Sequence, residues 1–102
     1  MKKNLIFFIA FITTSVVFGQ QPDRIYGDII VQLKPSQSIR QIVGKLSKYN
    51  GIDTDIQIVK NASPPLRIWL LHFDHTKINE REFLNHVRNL PEVEIAQFNR
   101  KV

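Results

Sequence analysis

Three histidines and a few carboxylates are the residues that could carry out chemistry in this chain of 102 residues, which contains no cysteine. His72 and His75 are close in sequence, with Asp74 between them, at the end of a predicted strand. Because side chains alternate between the two faces of a strand, the two imidazoles are expected on opposite faces. A zinc site needs at least three ligands that converge on one point. We therefore predict no metal site and no cofactor.

The sequence also lacks the residues of a nucleophilic enzyme. There is no Gly-x-Ser-x-Gly elbow, and without cysteine there is no thiol nucleophile. The serines after residue 20 fit helix caps, a helix surface or a loop: Ser36, Ser38, Ser47 and Ser63. The paired acids Glu80 with Glu82 and Glu92 with Glu94 lie at predicted element starts, where acidic residues are common. We predict no catalytic residue, and hence no enzyme activity of this chain by itself.

The first 19 residues resemble an export signal rather than part of a fold. Lys2 and Lys3 precede an apolar run from Leu5 to Phe18, and Gly19 is a small residue at the end of that run. This arrangement is typical of a secretory signal peptide. The apolar run of about 14 residues falls short of the roughly 20 that span a membrane, although an uncleaved anchor is the alternative. We predict a secreted or periplasmic protein with no membrane association after signal cleavage.

Residues 20–102 are expected to form one small domain. Removal of the two N-terminal lysines lowers the formal charge from +5 to +3, which is too small for a nucleic-acid signature. The strand from Arg67 to Phe73 does not fit the aromatic motif of RNA-recognition modules, although Trp69 could stack on a base. We expect no nucleic-acid partner. Without disulfides, stability must come from packing or from a partner.

Alternation of apolar and polar residues predicts four strands. The first runs from Ile25 to Leu33 and is ended by Pro35. The other three cover residues 55–60, 67–73 and 93–98, with a loop at 61–65. After the last strand, the chain is expected to continue as an extended basic tail consisting of Arg100, Lys101 and Val102.

Helical spacing predicts two helices with one apolar stripe each. The first begins at a capping box of Ser38 and Gln41 and ends at Asn50-Gly51. The second begins at a capping box of Asn79 and Glu82 and ends before a proline. The apolar stripes are Ile39, Ile42, Val43, Leu46 and Tyr49 in the first helix, and Phe83, Leu84, Val87 and Leu90 in the second.

The predicted order, strand-helix-strand-strand-helix-strand, is that of the split βαβ or ferredoxin-like fold. This α+β fold has a four-stranded antiparallel sheet with both helices on one face. The other face stays open, and an apolar open face indicates an interaction surface. Ile29, Val31 and Leu33 make the better core set on the first strand. We therefore predict that the open face carries Ile30, which shares its side of the first strand with Asp28 and Gln32, together with Trp69, Leu71 and Phe73. The alternative is that the other side of residues 67–73, with Ile68, Leu70 and His72, lies on the open face.

Two stretches resemble a known family. Residues 90–99 read Leu-Pro-x-Val-x-x-Ala-x-x-Asn, which resembles the closing strand of the N-terminal prodomains of secreted subtilisin-like serine proteases and of related stand-alone inhibitors. Residues 27–34, Gly-Asp-Ile-Ile-Val-Gln-Leu-Lys, resemble the first strand of the same domains. The resemblance implies a propeptide-like module that binds a subtilisin-like serine protease domain, in cis or in trans, as its inhibitor and intramolecular chaperone.

The resemblance also implies how such a module would bind. The open sheet face would pack on two surface helices of the protease, and Gln97 and Asn99 match the acceptors that cap those helices. Some relatives have carboxylates at these two positions, whereas both residues here are neutral amides. Arg100, Lys101 and Val102 would enter the substrate cleft, although relatives have a longer tail. The chain would then be either the front of a protease precursor or a stand-alone relative.

The alternative is a generic exported ferredoxin-like module that binds an unrelated partner through its apolar sheet face. The fold alone permits this function, because ferredoxin-like domains host many activities. The two hypotheses share the open face and differ in whether the partner is a subtilisin-like protease.

Overall fold

The computed structural model describes residues 24–100, an α+β domain with a four-stranded antiparallel sheet and two helices. The elements are β1 (Arg24–Leu33), α1 (Ile39–Lys45), β2 (Lys48–Tyr49), β3 (Ile52–Asp53), β4 (Gln57–Ser63), a 3₁₀ turn (Pro64–Leu66), β5 (Ile68–His72), α2 (Glu80–Arg88) and β6 (Val93–Arg100). The predicted signal peptide and the tail residues Lys101 and Val102 lie outside the described residues.

The main sheet has the strand order β4-β5-β1-β6, and all three neighbouring pairs are antiparallel. This order agrees with the predicted split βαβ arrangement, because the first strand lies between the third and the last of the four main strands. None of the helices described between residues 24 and 100 is long and apolar enough to span a membrane.

The first helix is shorter than predicted. It ends at Lys45, and Tyr49 belongs instead to a small hairpin of β2 and β3. Asn50 and Gly51 form the turn of this hairpin with φ angles of 52° and 80°. Asn-Gly with two positive φ angles is a favoured two-residue hairpin turn. The residues that were expected to end the first helix therefore connect β2 to β3.

The two predicted helix caps differ in outcome. The Asn79 side chain accepts a hydrogen bond from the Glu82 N–H at 3.0 Å, which confirms the N-cap of α2. Ser38 is the N-cap residue of α1, but its side chain makes no cap hydrogen bond. Its backbone carbonyl accepts from the Ile42 N–H at 3.2 Å instead. The short helix α1 is therefore held by its packing rather than by the predicted capping box.

Both helices pack on the same face of the sheet and form one hydrophobic core. The core contains Ile39, Ile42 and Leu46 from the α1 region, Phe83, Leu84 and Val87 from α2, and Ile29, Val31, Leu33, Leu71 and Phe73 from the β1 and β5 regions. The Phe73 and Phe83 rings meet at a centroid distance of 4.5 Å. Helices and sheet thus bury a single continuous apolar layer, which is the main source of stability in so small a domain.

The predicted orientation of the fifth strand was wrong. Leu71 and Phe73 are 0 % exposed, and Trp69 packs partly buried against the core instead of facing out. Antiparallel pairing places Leu71 opposite Ile29 and Trp69 opposite Val31. Directly paired residues share a sheet face, so the core residues of β1 determine which residues of β5 are buried. Ile30, in contrast, lies on the open face as predicted.

Candidate protein-binding face

The open face is the sheet surface away from the helices. β4 gives it a polar border, with Lys60 paired to Leu70 and Ser63 paired to Ile68, and alternate residues of the other three strands form its main area. These alternate residues form three rows across β5, β1 and β6: Ile68, Gln32 and Ile95; Leu70, Ile30 and Gln97; His72, Asp28 and Asn99. The first two rows are apolar except for two glutamines, and the third row is polar. The open face therefore has an apolar centre and one polar end.

The apolar part of the open face forms a shallow depression of about 170 Å³ lined by Ile30, Gln32, Ile68, Ile95 and Gln97. Ile95 is 53 % exposed. Apolar side chains that stay accessible in a row across a sheet indicate a surface that another protein covers.

The polar row is held together by one carboxylate. Asp28 Oδ1 lies 2.6 Å from His72 Nδ1, and Asp28 Oδ2 accepts from Asn99 Nδ2 at 3.0 Å. The Asp28 side chain is only 13 % exposed, whereas that of His72 is 45 % exposed. An ionised carboxylate accepts hydrogen bonds and donates none, so both neighbours turn an N–H group towards Asp28. The contacts connect the two central strands, β5 and β1, with the edge strand β6.

Gly27 allows the chain to pass close to this row. Its φ angle is +84°, and a Cβ atom there would lie 2.6 Å from His72 Cε1 and 2.7 Å from the Phe73 carbonyl oxygen. Only glycine adopts this conformation without strain and leaves room for the neighbouring strand. The Gly27 N–H also donates to Glu80 Oε2 at 2.8 Å, and this contact connects β1 to the start of α2.

At the opposite end of the open face, Gln32 Nε2 donates to the Leu66 carbonyl oxygen at 3.0 Å. Leu66 ends the 3₁₀ turn between β4 and β5, and the next residue, Arg67, has a left-handed conformation with φ of 58°. Arg67 Nε donates to the Leu33 carbonyl oxygen at 2.9 Å. These contacts hold the turn against β1, so the glutamine amide has a defined orientation.

The last strand continues further than predicted. β6 extends to Arg100, which pairs with Arg24, so Arg100 belongs to the ladder rather than to a tail beyond it. An irregularity in β1 between Arg24 and Ile29 changes the register and allows the pairing to continue. Gln97 is exposed and Asn99 is half-buried, and both belong to the open face. β6 lies at the edge of the sheet.

The described groups with shifted pKa values lie in segments outside these three rows. Hydrogen bonds from the Thr76 side chain and backbone lower the pKa of Asp74, and a hydrogen bond to Asp55 raises the pKa of Lys77. A hydrogen bond from Lys45 lowers the pKa of Glu92. Among residues 24–100, no group of three potential metal ligands converges on one point.

The structure thus brings together part of the predicted site. Ile30, Gln97 and Asn99 lie on the open face, whereas Leu71 and Phe73 belong to the core. Six residues of the open face were not among the predicted site residues: Asp28, Gln32, Ile68, Leu70, His72 and Ile95. The alternation on β1 correctly placed Asp28 and Gln32 on the face of Ile30, because both are an even number of residues from it, but it gave no role to either side chain.

No protein-family model matches this chain, and searches of curated proteins and of solved structures found no match either.

Proposed function

We propose that residues 20–102 act as a propeptide-like module that binds a subtilisin-like serine protease, in cis or in trans, as its inhibitor and intramolecular chaperone. One observation carries the proposal. Gln97 and Asn99, the two amides of the closing-strand pattern, lie on the same face as the apolar depression around Ile30. A single surface therefore combines the predicted hydrogen-bond acceptors with the apolar area that a partner would cover.

The composition of the open face supports a protein partner. Interfaces commonly have an apolar centre that excludes water and a polar rim that sets orientation. Here Ile30, Ile68 and Ile95 form the centre, and the Asp28 row forms one border. Because both helices pack on the other face, a partner could cover this surface without displacing any part of the fold.

The position of β6 supports an inhibitory role. This edge strand ends the described region in extended conformation at Arg100, and Lys101 and Val102 follow in sequence. An extended segment can add main-chain hydrogen bonds along a substrate groove, while alternate side chains enter pockets. Binding through the open face would bring this segment to the protease, and occupation of its cleft would exclude substrate.

The chaperone role follows from mass action. A module that binds the folded protease, and does not bind the unfolded protease chain, stabilises the folded protease. The stabilisation increases with the logarithm of the ratio between the concentration of the module and its dissociation constant. When both are parts of one polypeptide, the effective concentration is high. The same interface would therefore promote folding of the protease and would then inhibit the activity of the folded enzyme.

The test is titration of purified residues 20–102 against a subtilisin-like serine protease with a chromogenic peptide substrate. We expect slowed hydrolysis at micromolar or lower concentration, before the module itself is cleaved. A trypsin-like serine protease, which shares the catalytic triad on an unrelated fold, is the specificity control and should not be slowed. Undiminished hydrolysis by the subtilisin-like protease would contradict the proposal.

A further inference from the structure

Asp28 is not explained by the core or by the apolar part of the open face. Its carboxylate is largely buried between His72 and Asn99, on a sheet face that no helix covers. Removing a carboxylate from water is costly unless hydrogen bonds replace its hydration. Each of its oxygens has such a partner, one on β5 and one on β6. The arrangement therefore fixes the side chains of both neighbouring strands.

The consequence for Asn99 is a defined amide orientation. A free asparagine on a protein surface can present either its oxygen or its NH₂ group to a partner. Asp28 Oδ2 can only accept, so Asn99 turns Nδ2 towards it, at 3.0 Å, and its Oδ1 points away. Asn99 Oδ1 is thereby left as an acceptor at the polar end of the open face.

Gln32 has the same arrangement at the other end of the open face. Its Nε2 donates to the Leu66 carbonyl oxygen at 3.0 Å, which turns Oε1 away from Leu66. Two amides on this face thus direct their NH₂ groups at acceptors within the domain. The complementary partner supplies N–H donors, and the unpaired main-chain N–H groups at a helix N-terminus are a concentrated source of them.

We propose that Asp28 is a positioning residue that orients Asn99, so that the open face accepts hydrogen bonds from N–H groups at a helix N-terminus of the protease. His72 supports Asp28 by donating to its other oxygen. This inference rests on the proposed function and adds to it a residue on β1 that acts through β6. The fixed orientation allows a neutral amide to serve as a directed acceptor.

The test is a double-mutant cycle in residues 20–102, with inhibition constants measured against a subtilisin-like serine protease. We expect Asp28→Ala and Asn99→Ala each to weaken inhibition about tenfold, the factor expected for one directed hydrogen bond. The double variant should be no weaker than Asn99→Ala alone, because Asp28 acts only through Asn99. Glu94→Ala removes an exposed acid from β6 and should leave inhibition unchanged as the matched control.

A second measurement tests the orientation without the protease. In NMR spectra of residues 20–102, the Asn99 side-chain NH₂ protons should exchange slowly with solvent, and Asp28→Ala should remove this protection. Asp28→Ala could not be used if it lowered the melting temperature strongly. In that case Asp28→Asn, which keeps the side-chain volume, takes its place in the double-mutant cycle and in the NMR measurement. The amide introduced by that substitution has a single acceptor oxygen, which can face only one of the two neighbours. This variant should therefore weaken inhibition or alter the ring signals of His72.

The outcomes separate the two proposals. Additive effects of Asp28→Ala and Asn99→Ala, or unprotected Asn99 protons in the parent chain, would overturn the positioning role even if the parent chain inhibits. A parent chain that does not inhibit, but shows protected Asn99 protons that depend on Asp28, would overturn the proposed function and the protease as partner. Its NMR result would still support the orienting contact.

Discussion

The two faces of the four-stranded sheet are built from alternate residues of the same strands, yet they differ in what covers them. On the covered face, Ile29, Val31 and Phe73 are 0 % exposed beneath the helices. On the open face, Ile95 is 53 % exposed beside the half-buried Ile30. Both faces are rich in isoleucine and leucine. Apolar composition alone therefore does not distinguish a core from an interaction surface.

The difference lies in when the apolar area leaves water. Burial of apolar surface contributes about 25 cal/mol per Å² on folding. On binding the same contribution is partly offset by the loss of translational and side-chain freedom. The covered face contributes this free energy to folding. The open face retains it for a partner, and its oriented polar groups Asp28, Gln32 and Asn99 restrict which partner fits.

The largest expected effect belongs to the covered face. Phe73→Ala should lower the free energy of unfolding by about 3 to 5 kcal/mol, because it removes a fully buried ring that contacts Phe83. Chemical denaturation of residues 20–102 measures this change. A loss below about 1 kcal/mol would show that the covered face is not the core, and the comparison of the two faces would fail.

A smaller loss is expected at Gly27, where β1 approaches β5. Gly27→Ala should destabilise the domain by about 2 to 3 kcal/mol, because it combines a strained positive φ with a clash against His72 and Phe73. Gly51→Ala is the matched control, since Gly51 has a φ of +80° but no atom within 4 Å of an added Cβ. Its loss should be only about 1 kcal/mol. Equal melting temperatures for the two variants would contradict the close approach.

On the open face, the expected effect is on binding instead of folding. Ile95→Ala should weaken protease inhibition about tenfold and change the free energy of unfolding by less than about 1 kcal/mol, because the side chain is already half in water. Ile52→Ala, in the separate β2–β3 hairpin, removes a comparably exposed isoleucine, 41 % against 53 %, and should leave inhibition unchanged. Two variants with the same inhibition constant would place the binding surface elsewhere.

The end of the chain should have a weaker effect. Residues 20–100 should inhibit several-fold less well than residues 20–102, because Lys101 and Val102 would add contacts in the substrate groove. The melting temperature should hardly change, since the truncation keeps the pairing of Arg100 with Arg24. Inhibition constants and thermal denaturation of the two chains provide the comparison. Equal inhibition would mean that the open face suffices for binding.

The smallest effect is expected from an ion pair between the α1 region and the segment before β6. Lys45 Nζ donates to Glu92 Oε2, which lowers the pKa of Glu92 from its usual 4.5. A lowered folded-state pKa contributes stability above pH 4.5, and this contribution disappears as the pH falls through the folded-state value. Lys45→Met should therefore be slightly less stable at pH 7 than the parent chain. The two melting temperatures should converge in acid, and a constant difference would exclude this linkage.

Much of the fold was predictable because it depends on local patterns. The apolar stripes and the Asn79 cap indicated both helices, and the strand order followed from the sequence of elements. The alternation on β1 also placed Ile30 on the open face. The function, by contrast, remains a prediction that the titration with a protease will test.

What the sequence by itself determined is the order of the four main strands and two helices and the faces of residues 28–33 on β1, since both follow from neighbours along the chain. Only the tertiary structure decided the faces of β5, because residues 68–71 are apolar on both sides of the strand and their burial depends on pairing with β1. It also decided the polar row, since Asp28 and Asn99 are 71 residues apart in sequence and meet only across β1 and β6. Strand register is a long-range property, and a shift of one residue would exchange the two faces.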